Sequence, residues 1–315
     1  MRSKEYLLPA RKLLGLSVII FSVSFCLIPL AVRLIPSLPE AVAFMALPFL
    51  ACLILTGIHT YLGVHVIARG VIFVDLCLAQ IAALGTLYAF LLGYAMGSWH
   101  AYVISLLFTF IGAVIFSFGK LGGERVPLEA VIGIVYAVAT AASLLILSRA
   151  PHEAEHIRDI LTGSILWVDQ ATVIKTAKIY GLIGVFQTAL YPVFTGVSFK
   201  DGKKRTGGAL WDLLFYMSFG FVITSSVAIA GVLLVFSFLV IPAVIAMLFA
   251  ESVKARLGLG WLVGTAASVV SLFVSYRYDL PSGPCVVTIF GFTLLVLAGL
   301  RSLLGPKDSA TGRGA

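Results

Sequence analysis

The sequence has few charged residues, and this scarcity excludes an ordinary water-soluble domain. Only 11% of the 315 residues are Asp, Glu, Lys or Arg, whereas 60% are hydrophobic, and the mean hydropathy is +1.08. Soluble globular chains contain about 25% charged and roughly 45–50% apolar residues. A soluble fold of this size cannot bury so much apolar surface, so we expect lipid to surround most of the chain.

The sequence also lacks the usual short motifs of redox, zinc-finger and nucleotide chemistry. "GVSFKDGKK" (196–204) resembles a phosphate loop only loosely, because five residues, not four, separate Gly196 from Gly202 and no Ser or Thr follows the first Lys. We therefore expect this chain to bind no nucleotide and no cofactor. The four cysteines form no close pair such as C-x-x-C, and we interpret them as small buried hydrophobic residues: Cys26, Cys52, Cys77 and Cys285.

Long apolar runs dominate what is present. A transmembrane helix needs about 20 apolar residues. The run at 212–249 is too long for one crossing, and Gly220 and Gly231 offer break points, so we predict two helices there. The sequence then predicts an all-α, polytopic membrane bundle of about eight to ten helices, with ten spans near 13–32, 43–64, 74–93, 101–118, 128–148, 172–196, 212–229, 232–249, 257–276 and 283–303.

The basic residues predict the orientation of these spans. Lys and Arg collect in the cytoplasmic loops of membrane proteins, and the formal net charge here is +8. With a cytoplasmic N-terminus, sixteen of the 22 Lys and Arg residues fall on the cytoplasmic side. We therefore predict two cytoplasmic termini, one transmembrane domain over 1–303 and a disordered cytoplasmic tail at 304–315. Because the loops account for the basic charge, we expect no nucleic-acid partner.

One outer segment carries a motif with metal-binding chemistry. His152, Glu155 and His156 lie in "HEAEH", which fits the H-x-x-E-H pattern of a class of zinc proteases. Two histidines four residues apart on a helix can share a metal ion. Three interpretations stay open for these residues: a polar surface turn, a weak metal contact at an outer mouth, and a hydrolytic zinc site.

A few polar residues lie inside the predicted spans. They are His59, Asp75, Gln80 and, near a span end, Glu129. A charged side chain at mid-bilayer costs about 3 kcal/mol on insertion scales, so such groups usually line a cavity or a pathway. Carboxylate, imidazole and amide oxygen are also ligands for divalent transition metals. The alternatives are a helix-start acid favoured by the dipole for Asp75 and a packed histidine for His59.

Several stretches, taken together and in order, resemble the permease subunits of metal-ion ABC transporters, the zinc, manganese and iron uptake family. The likeness covers most of the chain after residue 55. It rests on "RGVIFVDLCLAQIAALG" (69–85), "EAVIGIVYAVATAASLLIL" from Glu129, "LTGSILWV" (161–168), "SSVAIAGVLLVFSFLVIPAVIAML" (225–248) and "YDLPSGPCVVTIFG" (278–291).

The resemblance implies an ATP-driven importer of zinc, manganese or iron in the bacterial cytoplasmic membrane. The permease is then a homodimer with a central path between its copies, bordered by Asp75 and Gln80. A separate cytoplasmic ATPase binds ATP, and an extracytoplasmic solute-binding protein delivers the ion. The ATPase is expected to dock on the basic loop "SFKDGKKRTGGALWD" (198–212), with Phe199, Lys203, Lys204 and Arg205 as coupling residues.

Two features depart from the family pattern. Its third-span signature commonly carries Asp and His four residues apart, whereas alignment on Gly85 puts Leu76 and Gln80 at those positions, with Asp75 one residue early. A shift of one residue turns a side chain by about 100° around a helix. The basic loop is also shorter and richer in glycine than is usual in the family.

Two other functions remain open on the residues. An ion-driven secondary carrier would require a proton or sodium gradient and no ATP. A membrane metalloenzyme would use His152, Glu155 and His156.

Overall fold

Helices account for all the regular structure that the computed structural model describes, which is residues 39–95, 97–118, 126–148, 165–199 and 209–304. A short 3-10 helix at Ile165–Trp167 precedes the fifth α-helix. The α-helices are α1 (Glu40–Arg69), α2 (Val74–Leu91), α3 (Trp99–Phe118), α4 (Leu128–Leu147), α5 (Gln170–Ala189), α6 (Tyr191–Ser198), α7 (Ala209–Phe249), α8 (Val253–Tyr278) and α9 (Ser282–Leu304).

This architecture confirms the predicted all-α membrane bundle. Seven of these helices are long and apolar enough to cross a membrane, and α5 with α6 makes an eighth candidate if that bent pair is one span. Exposed side chains on α4 and α9 are mainly apolar and include large ones, for example Leu145 and Leu295, which suits contact with lipid rather than water. The predicted span at 13–32 and the tail beyond Leu304 lie outside the described residues.

The long apolar run at 212–249 breaks at Gly231, one of the two predicted positions. Gly231 has φ 73° and ψ 166°, a conformation that glycine adopts at no steric cost, whereas Gly220 stays helical. As one straight helix, the 41 residues of α7 would extend about 60 Å, roughly twice the hydrocarbon thickness. The kink therefore divides α7 into two arms.

The two arms of α7 run in opposite directions. Before Gly231, Asp212 contacts Arg69 and Ser226 contacts His59, so this arm is antiparallel to α1. After Gly231, the chain returns to the Arg69 end of α1. The position of α8 establishes this direction. Gly260 lies close to Thr60 and Gly264 close to Thr56, so α8 is antiparallel to α1 and begins near its Arg69 end. Since α8 begins only a few residues after α7, α7 must end there too.

The predicted span at 172–196 is not one straight helix. The chain bends by 75° between α5 and α6, at Leu190. Pro192 lies in the first turn of α6, where its missing N–H costs nothing, whereas inside a straight helix it would remove a hydrogen bond and its ring would clash with the preceding turn. The apolar run continues through the bend, so hydropathy gave no sign of it.

The core lies where α1 meets both arms of α7. Gly63 on α1 is so close to α7 that an added Cβ would overlap the carbonyl oxygen of Leu239. Gly85 on α2 is similarly close to α3, where a Cβ would lie 2.7 Å from the Cα of Ser105. Small residues that let backbones approach are typical of helix contacts in membranes.

We expect the Gly63→Ala variant to separate α1 from α7 and to lower the free energy of unfolding by about 1–3 kcal/mol. Gly57→Ala is a matched control on the same helix, since a Cβ there meets nothing within 4 Å; it should be neutral or stabilising by up to about 1 kcal/mol. Unfolding of the purified protein in detergent, followed by circular dichroism, compares them. Equal effects of the two substitutions would contradict this account of the contact.

Candidate functional site

Asp75 is the most unusual polar residue in the described structure. It lies in the first turn of α2, and its side chain is fully buried. Neither carboxylate oxygen has a hydrogen-bond partner among the described residues, although the backbone amides at the start of α2 lie near it. Burying an unpaired carboxylate is costly, so this group needs a proton, a cation or water beside it.

Gln80 lies on the same helix and contacts α4. Its Nε2 donates a hydrogen bond of 3.4 Å to the Ser143 hydroxyl, which itself donates to the Ala139 carbonyl at 2.8 Å. Gln80 is only 4% exposed. Within a single chain both Asp75 and Gln80 are therefore buried between helices, and neither side chain lies on an open surface of the described structure.

His59 forms part of a polar network that joins three helices. Its Nδ1 lies 2.8 Å from the Leu55 carbonyl, which can only accept, so we assign the ring proton to Nδ1. Nε2 can then accept from the Ser226 hydroxyl at 3.0 Å, and the Val222 carbonyl, at 2.6 Å, competes for the same proton. The Ser226 oxygen in turn lies within hydrogen-bond distance of the Tyr180 hydroxyl. Because both ring nitrogens are engaged, His59 ties α1 to α5 and α7, and it would bind a metal only by releasing Ser226.

Glu129 is exposed in the first turn of α4, and its Oε1 accepts a hydrogen bond of 3.2 Å from the Ile72 amide.

The structure does not bring the predicted polar residues into one site. The described ranges contain no group of three or more His, Cys, Asp or Glu residues able to hold a metal ion. The predicted residues His152, Glu155, His156, Lys203, Lys204 and Arg205 lie outside the described residues.

Sequence reasoning missed a second polar cluster, at the C-terminal end of α1. Arg69 forms an ion pair of 3.0 Å with Asp212, and both side chains are buried. The Ser198 hydroxyl lies 2.9 Å from both Arg69 Nε and His65 Nδ1. The available signal was the spacing of Tyr61, His65 and Arg69, which recur every four residues and so line one face of a helix.

The model of the ABC 3 transport family matches residues 41–301, which is most of the chain. The chain belongs to the ABC 3 transport family. The predicted family is thereby confirmed, and the matched range includes α2 with Asp75 and Gln80 as well as both arms of α7.

Individual relatives agree with the family assignment. A probable iron transport system membrane protein of Haemophilus influenzae is 25% identical over 80% of this chain and 86% of its own length. The manganese transport system membrane protein MntC of Listeria innocua is 26% identical over 66% and 78%. In the solved structure of PsaBC from Streptococcus pneumoniae in complex with Fab, a chain that is 20% identical has a TM-score of 0.67 over 81% of this chain and 90% of its own length.

These relatives establish an integral, multi-pass membrane protein of an ABC transport family. The family is a transport family, and the relatives named here are membrane proteins of transport systems. The solved structure supports the fold, since the shared helical arrangement extends over most of both chains.

We expect Ser226→Ala to leave the His59 Nε2 atom without a donor and to lower the free energy of unfolding by about 1–3 kcal/mol. Ser237→Ala is the matched control, because Ser237 is equally buried on α7 but bonds only to the Leu233 carbonyl of its own helix. Removing such a bond should cost close to nothing. Unfolding in detergent again compares the two variants. If Ser237→Ala lowers the free energy of unfolding as much as Ser226→Ala does, the hydrogen bonds of Ser226 do not stabilise the contact between helices.

Proposed function

We propose that this chain is the membrane-spanning subunit of an ATP-driven importer that moves a divalent transition metal, zinc, manganese or iron, into the bacterial cytoplasm. The single observation that carries the proposal is the family match over residues 41–301. The relatives named for iron and manganese transport support a metal as the substrate. In this function the chain binds and releases the ion and changes its helix packing between outward-open and inward-open states.

We propose that Asp75 attracts the passing ion near the start of α2. A buried carboxylate without a hydrogen-bond partner is stabilised by a divalent cation more than by any neutral group. A hard anionic oxygen suits manganese and iron, and also serves zinc. Gln80, five residues and about 1.4 helical turns further along, offers its amide oxygen, since its contact with Ser143 is made through Nε2.

The path for the ion is proposed to lie between two copies of the chain. A cavity between α1 and α5, lined among others by Leu55 and Thr176, has a volume of about 10 Å³, which is room for about one water molecule. A hydrated metal ion needs more space than this. A boundary between two copies, or a different packing of the helices, would supply it, and a homodimer is our proposal.

The remaining partners are proposed from family membership. A cytoplasmic ATPase binds ATP and docks at the connection between α6 and α7, which begins at Phe199, and an extracytoplasmic solute-binding protein delivers the ion. This arrangement puts the Arg69 end of α1 and both termini on the cytoplasmic side.

His59 and Glu129 are weaker pathway candidates than Asp75, because each already has a hydrogen-bond partner within the protein. A secondary carrier and a metalloenzyme have no described feature that favours them.

We expect Asp75→Asn to reduce uptake about tenfold or more, which corresponds to about 1.4 kcal/mol, because it removes the charge that attracts the cation while preserving shape. Gln80→Ala should reduce it less. Asp279→Asn is the control, since Asp279 is exposed and its left-handed conformation, φ 51°, suits Asn. Uptake of Mn²⁺, Fe²⁺ and Zn²⁺ by vesicles holding the full complex measures the effect. Native uptake in both Asp75→Asn and Gln80→Ala would remove these residues from the pathway.

We also expect ATP hydrolysis to require a second protein. Because the sequence has no phosphate loop, the purified chain should release no phosphate from ATP. Phosphate release should appear when the cognate ABC ATPase is added. A phosphate-release assay with and without that partner tests this. Robust hydrolysis by the chain alone would contradict it, and uptake driven by a proton or sodium gradient without ATP would favour a secondary carrier.

A further inference from the structure

The buried ion pair at the end of α1 joins three separate segments of the chain. Arg69 is the last residue of α1, and its side chain is 6% exposed. Its Nη1 donates to Asp212 Oδ1 at 3.0 Å, and its Nε donates to the Ser198 hydroxyl oxygen at 2.9 Å. Ser198 ends α6, and Asp212 lies in the first turn of α7. One guanidinium group thus holds both chain ends that flank the connection between α6 and α7.

The planar guanidinium group of arginine fixes the directions of these two hydrogen bonds. The guanidinium carbon lies 3.8 Å from the centre of the Phe215 ring, so an aromatic face fixes the plane from which the two hydrogen bonds leave. Lysine has one compact charge on a flexible stem and cannot reproduce this arrangement. Since apolar residues often replace buried ion pairs with little loss of stability, stability alone does not explain this one.

The face of α1 that carries Arg69 also has hydrogen-bonding groups without a partner among the described residues. Because Arg69 Nε must donate to Ser198, the Ser198 hydroxyl is free to donate to His65 Nδ1, at 2.9 Å. His65 Nε2 and the Tyr61 hydroxyl, further along that face, have no hydrogen-bond partner among the described residues. A displacement of α6 along α1 can therefore exchange one hydrogen bond for another rather than simply break one.

Arg69 also leads directly to the start of α2. Gly70 ends α1 in a left-handed conformation, with φ 69°, and α2 begins at Val74. Phe73, just before α2, stacks against Phe236 on the second arm of α7 with ring centres 6.5 Å apart. A shift of the Arg69 end therefore reaches the first turn of α2, where Asp75 is buried.

We propose that Arg69 is a positioning residue that couples movement of α6 and the start of α7 to the first turn of α2. The inference rests on the proposed function, in which a cytoplasmic ATPase drives transport, and deepens it by assigning the transmission step to one side chain. Without the Arg69 contacts, the ATPase hydrolyses ATP but the change at Asp75 does not follow.

The test compares Arg69→Gln, Arg69→Lys and Asp212→Asn in the assembled complex of permease, ATPase and binding protein in lipid vesicles. Arg256→Gln is the matched control, because Arg256 is a partly buried arginine whose Nε donates to the Ala250 carbonyl, a local contact only six residues away at the turn between α7 and α8. Three quantities are measured on each variant: metal uptake, basal ATP hydrolysis, and the stimulation of hydrolysis by the metal-loaded binding protein.

We expect Arg69→Gln to keep basal hydrolysis while uptake and stimulated hydrolysis fall about tenfold, within the usual range of coupling between sites. Arg69→Lys and Asp212→Asn should lie between this variant and the native complex, and Arg256→Gln should behave as native. Proportional losses of uptake and basal hydrolysis, or no loss of either, overturn the proposal. If Arg69→Gln does not assemble, the same criteria apply to Arg69→Lys.

The outcome for Arg69 is separable from the outcome for metal import. A native complex that accumulates none of Mn²⁺, Fe²⁺ and Zn²⁺ refutes the proposed substrate. Stimulation of hydrolysis by the binding protein is then the remaining readout: its selective loss in the Arg69 variants supports the coupling role, and its retention refutes it.

Discussion

In lipid, a polar group must find its partner inside the protein, and this constraint governs how the helices of this chain meet. Most buried hydroxyls, such as that of Ser268, bond to a carbonyl one turn earlier on their own helix. Those that also bond across helices mark the contacts that define the bundle. Thr109 and Thr224 join α3 to α7 at 2.9 Å, and the His59 network joins α1, α5 and α7.

Against this background of paired groups, Asp75 and Arg69 stand apart for opposite reasons. Asp75 is a buried ionisable group with no hydrogen-bond partner among the described residues, which is why we propose it as a contact of the passing ion. Arg69 has several partners on different segments. The two lie at either side of the short turn between α1 and α2, so the place where an ion would bind and the place where force would enter are neighbours.

Much of the fold could be predicted from sequence because apolar run length depends only on local composition. The break at Gly231 followed from a run too long for one crossing that contained a glycine. The bend before Pro192 did not, because the run continued without a polar interruption. His59 and Gln80 were found as buried polar residues, but their partners were not, and the cluster around Arg69 was missed. Gln80 and Ser143 are 63 residues apart and His59 and Ser226 are 167 apart, and such pairs are decided by tertiary packing.

The reversal at Gly231 also bears on how the protein enters its membrane. Its two arms are joined by a single residue in a conformation suited to glycine, with no polar loop that would have to be translocated on its own. Each arm is about one hydrocarbon thickness long. A connection this short favours entry of the two arms into the bilayer together, as a helical hairpin.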